Sequence, residues 1–152
     1  HPNMNSVPGV DMSTGSLGQG ISAACGMALG AKHAGKPINV YTIVGDGEVE
    51  EGECWEAFMF AAHYGLSNLC VVLDRNHLQI DGTTETVMNS APLEEKLKAF
   101  NFNVVTIDGH DRHAGIPCRD CKAHLHHHGH HKGQGRFLYD QLCGLARQGP
   151  QR

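Results

Sequence analysis

Two short apolar runs, Val40-Tyr41-Thr42-Ile43-Val44 and Leu69 to Leu73, stand one helix's length apart. This spacing constrains the fold more than any other feature. Parallel neighbouring strands need a crossover of a dozen or more residues, usually a helix, so the pair reads as a βαβ unit. Each run ends in a polar residue: Asp46, inside Gly45-Asp46-Gly47, follows the first, and Asn76 follows the second. Two parallel strands joined this way bring their carboxyl ends to one edge of the sheet, where open α/β sheets bind ligands. Carboxylate and carboxamide oxygens are hard ligands, and the glycines allow close approach of backbone to a phosphate. The combination suggests a magnesium ion holding a diphosphate.

The flanking segments extend the pattern. His1 to Gly15 contains Pro2, Pro8 and Gly9 and has no usable period, so it reads as loop. Ser16 to Lys32 reads as a helix, with Ser22, Gly26 and Gly30 on one stripe suited to close packing. Glu51 or Glu53 to Tyr64 reads as a second helix, with Trp55, Phe58, Met59 and Ala62 at core spacing and Gly65 as its C′ residue. Ile80-Asp81-Gly82 makes a turn, Pro92 to Phe100 a short helix with Leu93 and Leu97 on its apolar side, and Asn103 to Ile107 a third strand. The expected fold class is α/β: a parallel sheet flanked by helices, with right-handed crossovers.

At 152 residues the chain is one domain at most, and large enough for a real core. It has no run of eighteen apolar residues, so no transmembrane helix is expected, and its first residues are neither basic nor apolar, as a secretory signal would be. A chain opening on His1 rather than Met is expected to be a fragment or a processed product. Cys25, Cys54 and Cys70 lie in apolar segments and read as small buried hydrophobes of a reducing, cytoplasmic setting. The net charge of −4 hides two halves: residues 1–111 carry 14 acidic and 5 basic side chains, residues 112–152 only 2 acidic and 7 basic. Seven of the twelve histidines fall in the second stretch, which lacks Val, Thr, Ser, Glu, Asn and Met, so the boundary is placed near Asp111.

Gly45-Asp46-Gly47, about thirty residues, then Asn76 resembles the thiamine-diphosphate signature of the transketolase superfamily. Thr14-Gly15-Ser16-Leu17-Gly18-Gln19-Gly20 resembles that family's TG-x-LGQG loop, and Asp108-Gly109-His110-Asp111 its DGHD turn. Three motifs in the right order, over His1 to about Asp111, make a specific match. The resemblance implies an incomplete N-terminal thiamine-diphosphate-binding domain, similar to split bacterial transketolase N-terminal subunits. A dinucleotide fold competes for the glycines, but Gly45-Asp46-Gly47-Glu48-Val49-Glu50 lacks the third glycine and places acids where a pyrophosphate would sit. Gly15 to Gly20 is spaced GxxGxG and has no P-loop lysine.

The resemblance also implies roles for individual residues. Asp46 and Asn76 would bind Mg2+ with the backbone carbonyl of Leu78, and Asn76 and Gly47 would also meet the diphosphate, Gly47 through its amide. Gly15 and Ser16 would offer backbone groups to the aminopyrimidine and Leu17 would pack on the cofactor rings, although the family often has Pro at the position of Ser16. Glu51 and Glu56 occupy positions of glutamates that form a carboxylate network across the transketolase dimer, where close acids share protons. The acids from Glu48 to Glu56 also suit the positive end of a helix dipole. His1-Pro2 resembles a pair that contacts the sugar near its carbonyl end. His33, His63 and His77 lack partners in sequence and read as ordinary surface or half-buried histidines. The glutamate that activates the aminopyrimidine belongs to another domain, so a complementary pyrimidine-binding domain or subunit is implied, in a homodimer or heterotetramer. The substrates implied are sugar phosphates of the pentose phosphate pathway, with neither nucleic acid nor membrane as partner.

The tail offers a different chemistry. Cys118-Arg119-Asp120-Cys121, followed by six histidines between His124 and His131, has the residue types of a zinc site. The family would have β-branched residues here before a Lys-Gly-Lys-Gly-like turn, which Lys132-Gly133-Gln134-Gly135 partly echoes. A shifted reading frame explains the exchange economically, since repeated ATC isoleucine codons read one base off become CAT, histidine. Residues 112–152 are accordingly expected to be an atypical, poorly ordered or frame-shifted tail. The alternatives are another thiamine-diphosphate enzyme, such as a deoxyxylulose-phosphate synthase or a dehydrogenase E1 component, or a non-catalytic Cys/His metal-binding protein.

Overall fold

The computed structural model describes residues 1–109 and the backbone of residues 136–141. The tail's Cys/His segment, its Lys-Gly-Gln-Gly echo, and His110 and Asp111 of the DGHD motif lie outside the described residues.

Helix α1 (Gln19–His33) follows Gly18, whose φ of +88° turns the chain into the helix. It buries Ile21, Ala24, Cys25, Ala28 and Ala31, a stripe at helical spacing. The expected stripe of Ser22, Gly26 and Gly30 does not pack: both glycines are exposed, with open space where a Cβ would stand. The competing face removes more apolar area from water, and each glycine sits beside one of its residues, about 100° round the helix.

Strand β1 (Val40–Gly45) lies parallel to β2 (Leu69–Arg75), in register from Val40 opposite Leu69 to Gly45 opposite Asp74. Helix α2 (Gly52–His63) makes the crossover between them, after a single 3₁₀ turn over Glu48–Glu50. It buries Cys54, Ala57, Phe58 and Ala61, and the ring of Phe58 meets those of Trp55 and Phe102 edge-on, at 5.6 and 5.4 Å. Trp55 donates its indole N–H to the Val49 carbonyl at 2.8 Å. Met59, expected in this core, is 57% exposed, because the shorter Ala57, Phe58 and Ala61 face already fills the space against the sheet. At the helix end the Gly65 and Leu66 amides donate to the Ala62 and Ala61 carbonyls, and Gly65 has φ +53°. This is the glycine-dependent stop that its place in sequence suggested.

Leu69 to Leu73 are all buried: Leu69, Val71 and Leu73 join the helices' core, while Cys70 and Val72 point to the other face. Beyond β2 come the two-residue strands β3 (Leu78–Gln79) and β4 (Gly82–Thr83), a short hairpin around Ile80-Asp81. Then follow α3 (Thr84–Val87), α4 (Leu93–Ala99) with Leu93 and Leu97 buried, and β5 (Asn103–Ile107). The last strand, β6 (Arg136–Gln141), lies between β2 and β5 and runs antiparallel to both.

Strand β6 adds an antiparallel member to the expected α/β sheet. The sheet is mixed: β1, β2 and β5 run the same way, as expected, but β5 meets β6 rather than β2. A strand buried on both faces, as β2 is, leaves its second row of backbone groups away from water, and these need a ladder partner. The apolar run Phe137-Leu138-Tyr139 was the available signal for it.

The three described cysteines are buried. Burial pushes the Cys25 thiol up to about 11 and, with Glu48, Glu51 and Glu53 adding to it, the Cys54 thiol up to about 12. Both are inert packing groups at neutral pH. Among the described residues no helix is long and apolar enough to cross a membrane.

Candidate functional site

Asp46 caps the carboxyl end of β1, and its side chain is 2% exposed. Its amide extends the parallel ladder by donating to the Asp74 carbonyl at 3.1 Å. Carboxylate Oδ1 accepts from the Gly47 amide at 3.0 Å, and Oδ2 accepts from the His77 amide at 2.9 Å, with Thr84 Oγ1 at 3.5 Å. Burial pushes the Asp46 pKa above the ordinary aspartate value, and the two amide bonds only partly oppose it. No lysine or arginine pairs with this carboxylate among the described residues. A buried acid with N–H donors but no cation invites a cation.

Asn76 stands one residue past the end of β2. It donates from Nδ2 to Asp74 Oδ2 at 3.2 Å, and its Oδ1 accepts from the Leu78 amide at 2.8 Å. Asp46, Asp74, Asn76, His77 and Leu78 therefore form one hydrogen-bonded group at the carboxyl ends of the two strands. This is the meeting of strand ends that the spacing implied. Asp46 carboxylate, Asn76 carboxamide oxygen and Leu78 carbonyl are all hard oxygens of the kind magnesium takes. Among the described residues no group of three or more His, Cys, Asp or Glu side chains is placed to hold a metal.

The neighbouring loops are tied to this group. A Cβ on Gly47 would meet Gln79 side-chain atoms at 3.1 and 3.3 Å, so glycine is what the packing admits there. The Gly47 amide serves Asp46 in this conformation. Gln79 Nε2 donates to Glu50 Oε2 at 2.7 Å, leaving Glu50 Oε1 and Gln79 Oε1 buried without partners. Glu48 reaches across: its two oxygens accept from the Gly18 amide at 3.0 Å and the Gly45 amide at 3.1 Å. One carboxylate thus clips the start of α1 to the end of β1.

On the other loop, the His1 ring lies directly on Gly15, where a Cβ would stand 2.5 Å from His1 Nδ1. The structure thus brings His1 and Gly15 together, although the two lie far apart in sequence. Ser16 and Leu17 are exposed, Leu17 by 57%. Glu51 is exposed at the N-cap of α2, its Cβ 3.2 Å from the place of a Cβ on Gly18, and makes no side-chain cap bond. Gly18→Ala combines a left-handed backbone with that contact. It should destabilise the fold by about 1–2 kcal/mol, measured by urea unfolding. A change below a few tenths would show that the loop relaxes freely.

Sequence reasoning missed four of these groups. His77, read as ordinary, supplies the amide on Asp46. Thr84 adds a hydroxyl, Asp74 joins Asp46 to Asn76, and Glu48 is the clip rather than a helix-dipole acid. Only Asp74 carried a signal, as an acid at the same strand end as Asn76.

An α/β domain with oxygen ligands gathered at the ends of two adjacent parallel strands is of the class that binds phosphorylated cofactors at the sheet edge. The chain belongs to the transketolase family: residues 1–126 match its thiamine diphosphate binding domain, past the composition break at Asp111. It is 50% identical over 111 residues to the 6-deoxy-6-sulfo-D-fructose transketolase subunit of Clostridium sp. (strain MSTE9), covering 73% of this chain and 40% of that one. It is 41% identical to an apulose-4-phosphate transketolase subunit of Actinobacillus succinogenes, with the same shares covered. Among solved structures, Campylobacter jejuni transketolase superposes with a TM-score of 0.59 at 31% identity, covering 66% of this chain and 17% of that one. Pichia stipitis transketolase gives 0.60 at 34%, covering 67% and 16%. The chain therefore spans well under half the length of these relatives.

Proposed function

We propose that this chain is the diphosphate-holding part of a transketolase that moves a two-carbon ketol unit between sugar phosphates. The observation that carries the reading is the buried, lysine-free Asp46 carboxylate joined through Asp74 and His77 to Asn76. Asp46, Asn76 and the Leu78 carbonyl would hold Mg2+, and the ion would offset the charge of the diphosphate. Thiamine diphosphate, when bound, supplies the nucleophilic carbon and the electron sink for ketol transfer.

The chain's own residues have distinct tasks in this reading. Asn76 would meet the diphosphate, and the Gly47 amide, which serves Asp46 Oδ1 in this conformation, would turn to it with no side chain intervening. Gly15, Ser16 and Leu17 lie along the ring end, and the His1 imidazole on Gly15 is placed to meet the sugar. Glu51, exposed beside Gly18, is free to meet a second protomer. A complementary pyrimidine-binding subunit completes the site, in a homodimer or heterotetramer, and the buried cysteines Cys25 and Cys54, both free thiols, favour the cytoplasm.

Calorimetry with thiamine diphosphate tests the reading. Binding should require Mg2+, and affinity should fall at least about tenfold when the ion is chelated. Equal affinity with and without the ion would remove the cation from the site.

A further inference from the structure

We propose that Glu85, an exposed residue of α3, is a positioning residue for the buried Asp46 carboxylate. The inference rests on the reading of Asp46 as a cation ligand. His77 has φ +61°, a left-handed conformation that a residue with a side chain adopts only where its surroundings hold it. Two contacts do so. Its carbonyl accepts from the Thr84 amide at 3.2 Å, and its ring Nδ1 lies 2.6 Å from Glu85 Oε1. The hairpin of β3 and β4 folds residues 84 and 85 back onto residue 77 to make both contacts possible. In this conformation the His77 amide aims at Asp46 Oδ2, 2.9 Å away, while Thr84 presents its hydroxyl to the same oxygen.

Glu85 thus acts through His77. The bond to His77 also holds the Glu85 carboxyl below its ordinary pKa. The pair is exposed, His77 by 40% and Glu85 by 50%, and pairs in water add little to global stability. Its effect falls on the direction of one amide and, through it, on the carboxylate. The turn of α3 thus reaches Asp46 by two routes, directly through the Thr84 hydroxyl and through Glu85 and the His77 amide.

The test uses the full chain with magnesium alone as probe, and two readouts: calorimetric Mg2+ affinity and, without metal, hydrogen exchange of the His77 amide by NMR. In Glu85→Ala the His77 amide should exchange about tenfold faster while the amides of β2 stay protected. Mg2+ affinity should fall by roughly tenfold, the scale of an outer partner's loss. The melting temperature should stay within about 2 °C, as for an exposed pair. Glu85→Gln keeps an oxygen that accepts from Nδ1 and should restore both readouts. Unchanged His77 exchange in Glu85→Ala overturns the positioning role, whatever the metal does. Faster exchange with Mg2+ affinity unaltered in both Glu85→Ala and Asp46→Ala supports the positioning and counts instead against Asp46 as a ligand.

Discussion

Asp46→Ala should abolish magnesium-dependent binding of thiamine diphosphate. The loss should exceed the roughly 10–100-fold that removal of an outer partner of a metal costs, because the change deletes the only carboxylate among the three proposed protein ligands. The same substitution has a signature without cofactor. Burial raises the Asp46 pKa in the folded state, so the folded chain binds its proton more tightly than the unfolded chain does. The stability contributed by this group is then fully present below the ordinary aspartate value. It is lost as pH rises through the raised folded-state value. Metal-free protein should therefore lose melting temperature across that window, and Mg2+ should recover it above the window. In Asp46→Ala both the pH-linked step and the recovery should vanish. Persistence of the Mg2+ recovery in that variant, by calorimetric melting, would place the ion elsewhere.

Ketol transfer should be absent from the 152-residue chain alone and should appear when the rest of a transketolase is supplied. The chain spans 40% of its Clostridium relative, which is itself a transketolase subunit. Of the described acids near the loops, Glu48 holds two amides and Glu50 holds Gln79, and Glu51 is the one proposed to meet a second protomer. In the proposed reading, proton transfer at the pyrimidine comes from a partner. A coupled assay with ketose and aldose phosphates should show turnover only once the remaining family sequence is restored and a complementary subunit is present. Clear turnover by this chain alone would refute the division of labour.

Much of the architecture was legible because it depends on local pattern. The runs Val40 to Val44 and Leu69 to Leu73 have the length and apolar character of strands, and the residues between them cross the sheet as a helix, although only the second run is buried on both faces and Tyr41 and Ile43 of the first are exposed. Asn103 to Ile107 was found with its observed bounds. Gly65 ended α2 as its lack of a side chain allows. Asp46 and Asn76 were found as a pair because strand ends in a βαβ unit have little choice of where to meet.

The failures share one cause: each depended on a contact between segments distant in the chain. Which stripe of α1 turns inward depends on what the sheet presents, so Ile21, Ala24 and Ala28 displaced Ser22, Gly26 and Gly30. Met59 sits at helical core spacing, yet the space against the sheet was already filled by Phe58 and the alanines beside it. The place of strand β6 is set by backbone pairing to β2 and β5, distant in the chain, with the apolar run Phe137-Leu138-Tyr139 as its one local signal.

The same division runs through the candidate site. Sequence alone determined that Asp46, with a glycine on either side, and Asn76 stand at the ends of two adjacent strands, because this follows from residue type and from the geometry of one βαβ unit. Tertiary structure decided the rest: that Glu48 clips Gly18 to Gly45, that a left-handed His77 aims its amide at Asp46, and that Glu85 holds His77 there. Hydrogen bonds act over about 3 Å, and the distance in space between residues thirty positions apart is a property of the folded chain.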